Sequence, residues 1–172
     1  RTGRLVDLNA IDTIVNVPAR TKVATEVAEK SITLARDDMG LVPLPRDAHR
    51  ILSITYADNS DLPAGRVFNQ ELPRGGFNVS TARVDARTTP AEFDALRARA
   101  DSVDVIVASA YVFPVNGRGS IGTDAGFAGF LEQLAASKKK VVAISFGSPY
   151  LVGAFPSVPA YLLAWGGAPV SQ

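Results

Sequence analysis

The sequence predicts an α/β protein, a three-layer α/β/α sandwich built around a mostly parallel sheet. Apolar, β-rich runs recur along the chain at residues 51–57, 102–110 and 141–146. Segments with helical periodicity lie between these runs, and this alternation requires crossover connections between parallel strands. The 172 residues are 47% hydrophobic and 20% charged, which is the composition of one ordinary globular domain.

The first 30 residues predict two helices that precede the sheet. Pro18 suits the first turn of the second helix. The apolar residues at helical spacing are Leu8, Ile11, Ile14 and Val15 in the first helix and Val23 and Val27 in the second. We therefore interpret residues 1–30 as a helical linker and residues 31–172 as the sandwich domain. Residues 31–36 alternate between polar and apolar and predict a short extended segment, which the turn at 37–40 closes.

The middle of the chain predicts two strands and two helices. Residues 51–57 form the first strong strand, and the polar residues 58–61 that bound it favour turns and caps. A weaker helix is expected over 64–72 and a second strand over 77–84. The next helix opens at Thr89-Pro90-Ala91-Glu92 and shows one apolar face, made of Phe93, Leu96 and Ala100.

The last third predicts three strands and the clearest helix of the chain. That helix has an apolar face made of Phe127, Phe130, Leu131 and Leu134, and lysines 138–140 suit its carboxyl end. The strands are expected over 102–110, 141–146 and 160–165. Tyr161 and Trp165 in the last strand are expected in the core rather than on a sugar-stacking surface. The order of strands and helices along the chain predicts a domain of flavodoxin-like shape.

Composition excludes several classes of function. The formal net charge is +1, so no excess of charge drives binding to nucleic acid or to an anionic membrane. The chain has no cysteine and only one histidine, His49, so thiolate chemistry and multi-histidine metal sites are excluded. No apolar run reaches the roughly 18 to 20 residues of a membrane helix. We predict no metal and no cofactor.

A glycine-rich segment, residues 117–122, matches the pattern G-x-G-x-x-G between a strand and a helix. In a dinucleotide site the first glycine follows the strand directly, and an acidic residue follows about 20 residues later. Here residues 112–116 intervene, and the stretch 141–147 holds no carboxylate. A surface loop is therefore favoured over a phosphate site.

No catalytic residue is predicted within this chain. Ser145 and Ser148 lack the G-x-S-x-G elbow, and His49 is expected to be a surface or capping residue. A glycosidase needs two carboxylates about 5 to 10 Å apart, which sequence spacing alone does not show. The acidic residues at 37–38 and 58–61 fit turns, and Asp124 fits the cap of the following helix.

Two segments resemble family 3 glycoside hydrolases. Residues 28–38 (AEKSITLARDD) with 40–45 (GLVPLP) resemble the join between barrel and sandwich domain in that family. Residues 142–150 (VAISFGSPY), followed by 155–156 and 159–162, are similar to the late strands of its β-N-acetylhexosaminidase branch. The two segments bracket almost the whole chain, whereas residues 58–100 match only in the order of strands and helices.

The resemblance implies an accessory, carboxy-terminal domain whose partner is an amino-terminal barrel of the same parent chain. Residues 1–30 are then the linker from that barrel. Both ends of the sequence are expected to be cuts within a longer chain, the second of them at the start of the domain's last helix. The family's nucleophilic Asp lies on the barrel, so this chain alone is expected to be inactive. In the β-glucosidase branch the sandwich domain lends a Glu acid/base from the loop after its third strand. The corresponding loop here, residues 111–126, contains Asp124 but no Glu, which favours the aminosugar branch.

The resemblance also implies a carbohydrate substrate for the parent protein, and a periplasmic or secreted location. The loop could supply hydrogen-bond donors or acceptors to the substrate rim through Asn116, Arg118, Ser120 and Asp124. The alternative is an independent flavodoxin-like module that binds a small anion or nucleotide at the carboxyl ends of its strands.

Overall fold

A computed structural model describes residues 8–15, 17–114 and 121–172 of the chain. The described residues form one six-stranded sheet, flanked by helices. The strands are β1 (Thr33–Asp37), β2 (Arg50–Ala57), β3 (Asn78–Val84), β4 (Val105–Tyr111), β5 (Val141–Ser145) and β6 (Ala160–Leu163). The α-helices are α1 (Ile11–Ile14), α2 (Pro18–Ser31), α3 (Arg66–Glu71), α4 (Pro90–Ala100) and α5 (Ala125–Ala136). Short 3₁₀ turns span Leu8–Ala10, Leu72–Gly75, Pro149–Ala154 and Pro169–Ser171.

The strand order is β1-β6-β5-β4-β2-β3, and every pair is parallel except β1 with β6. From β2 the chain moves outward to β3, then returns to β4 on the other side of β2 and continues to β5 and β6. The direction of winding therefore reverses between β2 and β4. The predicted α/β/α sandwich with a mostly parallel sheet is confirmed.

One face of the sheet carries the larger core, beneath α4 and α5. Phe93 and Leu96 of α4 and Phe127 and Leu131 of α5 pack on this face. The alternate residues of β2 that point to it are Leu52, Ile54 and Tyr56. The predicted apolar faces of both helices are therefore the faces that are buried.

The opposite face has a thinner cover, made of α3 and the segment 41–48. Polar side chains of the sheet contact α3 there: Ser53 Oγ donates to Asn69 Oδ1 over 2.6 Å, and Asn69 Nδ2 donates to Thr55 Oγ1 over 3.3 Å. Buried hydroxyls need hydrogen-bond partners, and the single amide of Asn69 serves two of them. This pairing fixes where α3 lies on the sheet.

The edge strand β1 pairs antiparallel with β6, and the side chain of Arg36 adds to this pairing. Arg36 Nη1 lies 2.9 Å from the carbonyl oxygens of Phe155, Pro156 and Val158, in the loop before β6. The backbone N–H of Asp38 also donates to the carbonyl of Pro159 over 2.8 Å. The short extended segment predicted after the two helices is thus a true strand of the sheet.

Two predictions about element ends are wrong. Helix α5 ends at Ala136, so lysines 138–140 follow the helix instead of forming its last turn, and Lys138 has a φ of +57°. Strand β6 ends at Leu163, and Trp165, predicted to be in the core, is 53% exposed with a φ of +61°. The chain turns at Trp165, which ends the alternation that buries Tyr161. Trp165 Nε1 instead donates to Thr33 Oγ1 of β1 over 3.3 Å.

Candidate functional site

A cleft lies at the carboxyl ends of β2, β3 and β4, where the direction of winding reverses. Ligands of open α/β sheets bind outside the carboxyl ends of the strands at this point. The cleft has a volume of about 480 Å³. Its walls are the loop after β2 (58–61), the loop after β3 (85–87) and the end of β4 with the two residues that follow it (111–113). Topology alone therefore makes this cleft the candidate site.

The loop after β2 is fixed by its own polar groups and by Arg83 of β3. Asp58 Oδ1 accepts hydrogen bonds from the backbone N–H of Ser60, over 3.0 Å, and from its hydroxyl, over 2.7 Å. Arg83 Nη2 donates to the carbonyls of Asp58 and Asp61 over 3.0 and 2.7 Å, and its Nη1 donates to Ala64 over 3.2 Å. The guanidinium of Arg83 thus stabilises the loop that forms the first wall of the cleft, and it already donates to three backbone carbonyls there.

The loop after β3 carries an ion pair. Arg87 Nη2 donates to Asp85 Oδ2 over 2.7 Å, and the backbone N–H of Arg87 donates to Asp85 Oδ1 over the same distance. The side-chain hydrogen bond from Arg87 lowers the pKa of Asp85 below its ordinary value. A general acid needs a raised pKa, so Asp85 is an ionised acceptor and not a proton donor at neutral pH.

Two buried tyrosines form the floor of the cleft. Tyr56 stacks on Phe127 with ring centroids 4.7 Å apart, and Tyr111 stacks on Phe146 at the same separation. Burial raises the pKa of Tyr56 and that of Tyr111. Both phenols are therefore neutral, and the stacking of their rings holds the floor rigid.

A second cavity, of about 340 Å³, adjoins the first on the side of α3 and the carboxy-terminal segment. Its lining includes Pro63, Arg66 and Gln172. Gln172 Oε1 accepts hydrogen bonds from the hydroxyl of Tyr111, over 3.0 Å, and from the backbone N–H of Phe68, over 3.2 Å. Residue 172 is thereby tied to the floor that the two cavities share.

Three of the four predicted rim residues, Asn116, Arg118 and Ser120, lie outside the described residues. Asp124 caps α5, because its Oδ1 accepts from the backbone N–H groups of Gly126, over 2.8 Å, and Phe127, over 3.1 Å. Its own backbone N–H donates to the hydroxyl of Tyr56 over 3.1 Å. The predicted cap is confirmed, while a contact of Asp124 with substrate stays a prediction.

Sequence reasoning missed the residues that line the cleft. It assigned 58–61 to turn chemistry, which the hydrogen bonds of Asp58 confirm, but it gave Asp85 and Phe113 no role. A signal was present: Asp58, Asp85 and Phe113 come within two positions of the ends of β2, β3 and β4. Parallel strands deliver such residues to one edge of the sheet.

The site can accept hydrogen bonds from hydroxyl groups and can offer aromatic surface. Among the described residues, no cluster of three or more histidine and acidic side chains could hold a metal ion. His49 is exposed at the opposite end of β2, where its backbone N–H donates to Asp104 Oδ2 over 3.0 Å. The site is therefore suited to binding and orienting a polar ligand.

Comparison with known proteins finds the same fold within two glycoside hydrolases and a β-glucoside phosphorylase. No protein-family model and no curated protein matches the sequence. A family 3 β-N-acetylglucosaminidase from Paenibacillus sp. str. FPU-7 matches with a TM-score of 0.72 and 22% identity. The β-glucoside phosphorylase BglX matches with a TM-score of 0.77 and 23% identity, and a β-glucosidase from Listeria innocua in complex with gluconolactone with 0.71 and 19%.

These matches cover nearly all of this chain and a minor part of the other chains. They span 98%, 99% and 95% of this chain, but 31%, 31% and 25% of the respective matched chains. The chain therefore has the fold of one portion, about a third or less, of these longer enzymes. The predicted resemblance to the sandwich domain of family 3 glycoside hydrolases is confirmed at the level of the fold.

Proposed function

We propose that this chain is the accessory, carboxy-terminal sandwich domain of a family 3 glycoside hydrolase whose catalytic barrel belongs to the same parent protein. The observation that carries the proposal is the asymmetry of the match, which covers 98% of this chain but 31% of a family 3 β-N-acetylglucosaminidase. A portion of this size supplies a supporting domain and leaves about two thirds of such an enzyme for the barrel.

The exposed apolar side chains before the sheet support a docking role. We name them the N-terminal apolar surface; in α1 and α2 they are Ile11, Ile14, Val23 and Val27, which are 38 to 61% exposed. Of the 14 residues of α2, all of them described, only Ala28 is buried. Exposed apolar side chains that share one helix face, as Val23 and Val27 do, are typical of contacts with another protein surface, and in this proposal the barrel covers them.

The candidate site supports a binding role without bond-breaking chemistry. Asp85 is held ionised by Arg87, and Oδ1 of Asp124 accepts the hydrogen bonds that cap α5. The segment 111–126 has no Glu, so the proposal assigns the parent to the aminosugar branch and leaves the nucleophile and the acid/base to the barrel. The matched enzymes act on both aminosugars and glucosides, according to their names.

The test compares this chain with its parent protein on two chromogenic substrates, an N-acetyl-β-glucosaminide and a β-glucoside. The purified 172-residue chain is expected to turn over neither substrate. The parent, expressed with the residues encoded upstream, is expected to hydrolyse the aminosugar substrate at the higher kcat/KM.

Turnover of either substrate by the isolated chain, free of contaminating enzyme, would contradict the accessory role. A parent that prefers the β-glucoside would contradict the aminosugar assignment alone. A gene with no barrel encoded upstream would favour the independent module. The periplasmic or secreted location belongs to the same proposal, and cell fractionation followed by activity assay tests it.

A further inference from the structure

The two cavities at the carboxyl edge of the sheet meet at one exposed aromatic residue. Phe113 and Tyr111 line both cavities, and so does Asp61. Tyr111 is buried, whereas Phe113 is 42% exposed. Phe113 is therefore the exposed aromatic residue that a cavity of about 480 Å³ and one of about 340 Å³ have in common. We call the two adjoining cavities the groove.

Two glycines leave room for the ring of Phe113. A Cβ added to Gly167 would lie 2.9 Å from Cζ of Phe113, and one added to Gly147 would lie 3.3 Å from Cδ1. At Gly147 the added Cβ would also meet the carbonyl oxygen of Val112 at 2.2 Å. The backbone that follows β5 and the backbone of the carboxy-terminal segment thus lie close to this ring, and they restrict its position.

The charges that border the first cavity oppose a negatively charged ligand. Arg87 is engaged by Asp85, and Arg83 is engaged by three backbone carbonyls of the loop after β2. Asp58, Asp61 and Asp85 border the first cavity, and carboxylates oppose a phosphate while they accept hydrogen bonds from hydroxyls. This charge arrangement disfavours an anion or a nucleotide in the first cavity, while the second cavity is lined by one acidic residue, Asp61, and one cation, Arg66.

We propose that the groove binds an oligosaccharide of at least two uncharged sugar rings, one in each cavity, with the Phe113 ring as the stacking surface between them. Aromatic faces pack against apolar faces of a ligand while neighbouring polar groups fix its orientation. The inference rests on the proposed function and extends it, because it makes the ligand of this domain an oligomer and not a single sugar.

The experiment titrates the 172-residue chain with N-acetylglucosamine and with its β-1,4-linked di- and trisaccharide, followed by isothermal calorimetry and by NMR. A matched series of glucose, cellobiose and cellotriose is run in parallel. The trisaccharide is expected to bind about tenfold more tightly than the monosaccharide, since it reaches the second cavity across Phe113.

Three variants sharpen the test. Phe113→Ala is expected to abolish the higher affinity for the trisaccharide while leaving the weak binding of the monosaccharide. Gly167→Ala keeps the aromatic ring but displaces it, and it is expected to reduce the affinity for the trisaccharide. Tyr150→Ala, which removes an aromatic side chain that is 81% exposed and lines neither cavity, is the control and is expected to bind like wild type.

Equal affinity for mono- and trisaccharide, or an unchanged trisaccharide affinity in folded Phe113→Ala, would overturn the proposal. So would the absence of binding to every sugar in both series, an outcome that leaves the accessory role standing. Tighter binding of the cello-oligosaccharides would support oligosaccharide binding in the groove and would contradict only the aminosugar assignment. NMR spectra of each variant establish that it is folded.

Discussion

Asp104 joins the beginnings of two adjacent parallel strands. Its Oδ2 accepts from the backbone N–H groups of His49, over 3.0 Å, and Arg50, over 2.8 Å, and its Oδ1 accepts from Arg50 Nη2 over 3.1 Å. Its own backbone N–H donates to the carbonyl of Arg50 over 2.9 Å. The pKa of Asp104 is lowered from 3.8 to about 2, first by the hydrogen bond from the backbone of Arg50 and second by the hydrogen bond from its side chain.

This depressed pKa predicts a pH-dependent contribution to stability. A carboxylate with a lower pKa in the folded state than in the unfolded state stabilises the fold above the unfolded pKa. The contribution of Asp104 is therefore full above about pH 5 and is lost as the pH falls through 3.8 towards 2. Thermal unfolding of Asp104→Asn is expected to show a lower Tm than wild type at pH 6.

The difference in Tm between wild type and Asp104→Asn is expected to narrow steadily as the pH falls from 5 to about 2. Asp38→Asn, which changes an exposed carboxylate in the turn after β1, is the control. A Tm difference that stays constant over this range would show that the carboxylate of Asp104 does not act through its charge.

At the scale of single elements, α5 shows how one side chain begins a helix beside the candidate site. Asp124 has an extended backbone, and its carboxylate accepts from two of the first backbone N–H groups of the helix. Without such a cap these groups have no intrahelical partner. The helix buries Phe127 and Phe130 on the sheet, so its beginning also sets the position of the ring that supports Tyr56.

Asp124→Ala is expected to destabilise the chain by about 1 kcal/mol, the usual cost of losing a capping side chain. Urea unfolding measures this loss. Asp124→Ser keeps a capping oxygen and is expected to restore most of the stability. In the parent enzyme a stable Asp124→Ser variant also tests the predicted place of Asp124 at the substrate rim. A fall in kcat/KM would support a contact with substrate, and an unchanged kcat/KM would leave Asp124 with the capping role alone.

The whole molecule leaves apolar side chains exposed on the N-terminal apolar surface. Val23 and Val27 lie one turn apart on α2 and are 59% and 61% exposed. No helix among residues 8–15, 17–114 and 121–172 is long and apolar enough to cross a membrane. The proposed function accounts for this exposure through a covering barrel, and the isolated chain then presents an uncovered interface.

The isolated chain is therefore expected to bind a hydrophobic dye and to self-associate at high concentration. The double variant Val23→Ser, Val27→Ser is expected to reduce both, because it removes the exposed apolar area, while its free energy of unfolding stays within about 0.5 kcal/mol. Dye fluorescence and analytical ultracentrifugation measure these effects. Leu62→Ser, which changes a residue that is 78% exposed outside that surface, is the control; an equal effect of Leu62→Ser would contradict a specific interface.

The sequence alone determined the order of strands and helices, the buried faces of α4 and α5, and the cap at Asp124. These features depend on local periodicity and on short-range hydrogen bonds, both of which residues close in the chain decide. The end of β6 was misjudged because a tight turn follows it: the backbone N–H of Gly166 donates to the carbonyl of Ala164 over 2.7 Å, with Trp165 at a positive φ between them. The pair Gly166-Gly167 was the local signal for this turn.

Only the tertiary structure decided where the candidate site lies. Asp58, Asp85 and Phe113 are far apart in the sequence and become neighbours because β2, β3 and β4 are parallel and adjacent. Their individual sequence contexts are those of ordinary turn residues. The reversal of winding between β2 and β4 opens the cleft, and this reversal is a property of strand order that no local pattern encodes.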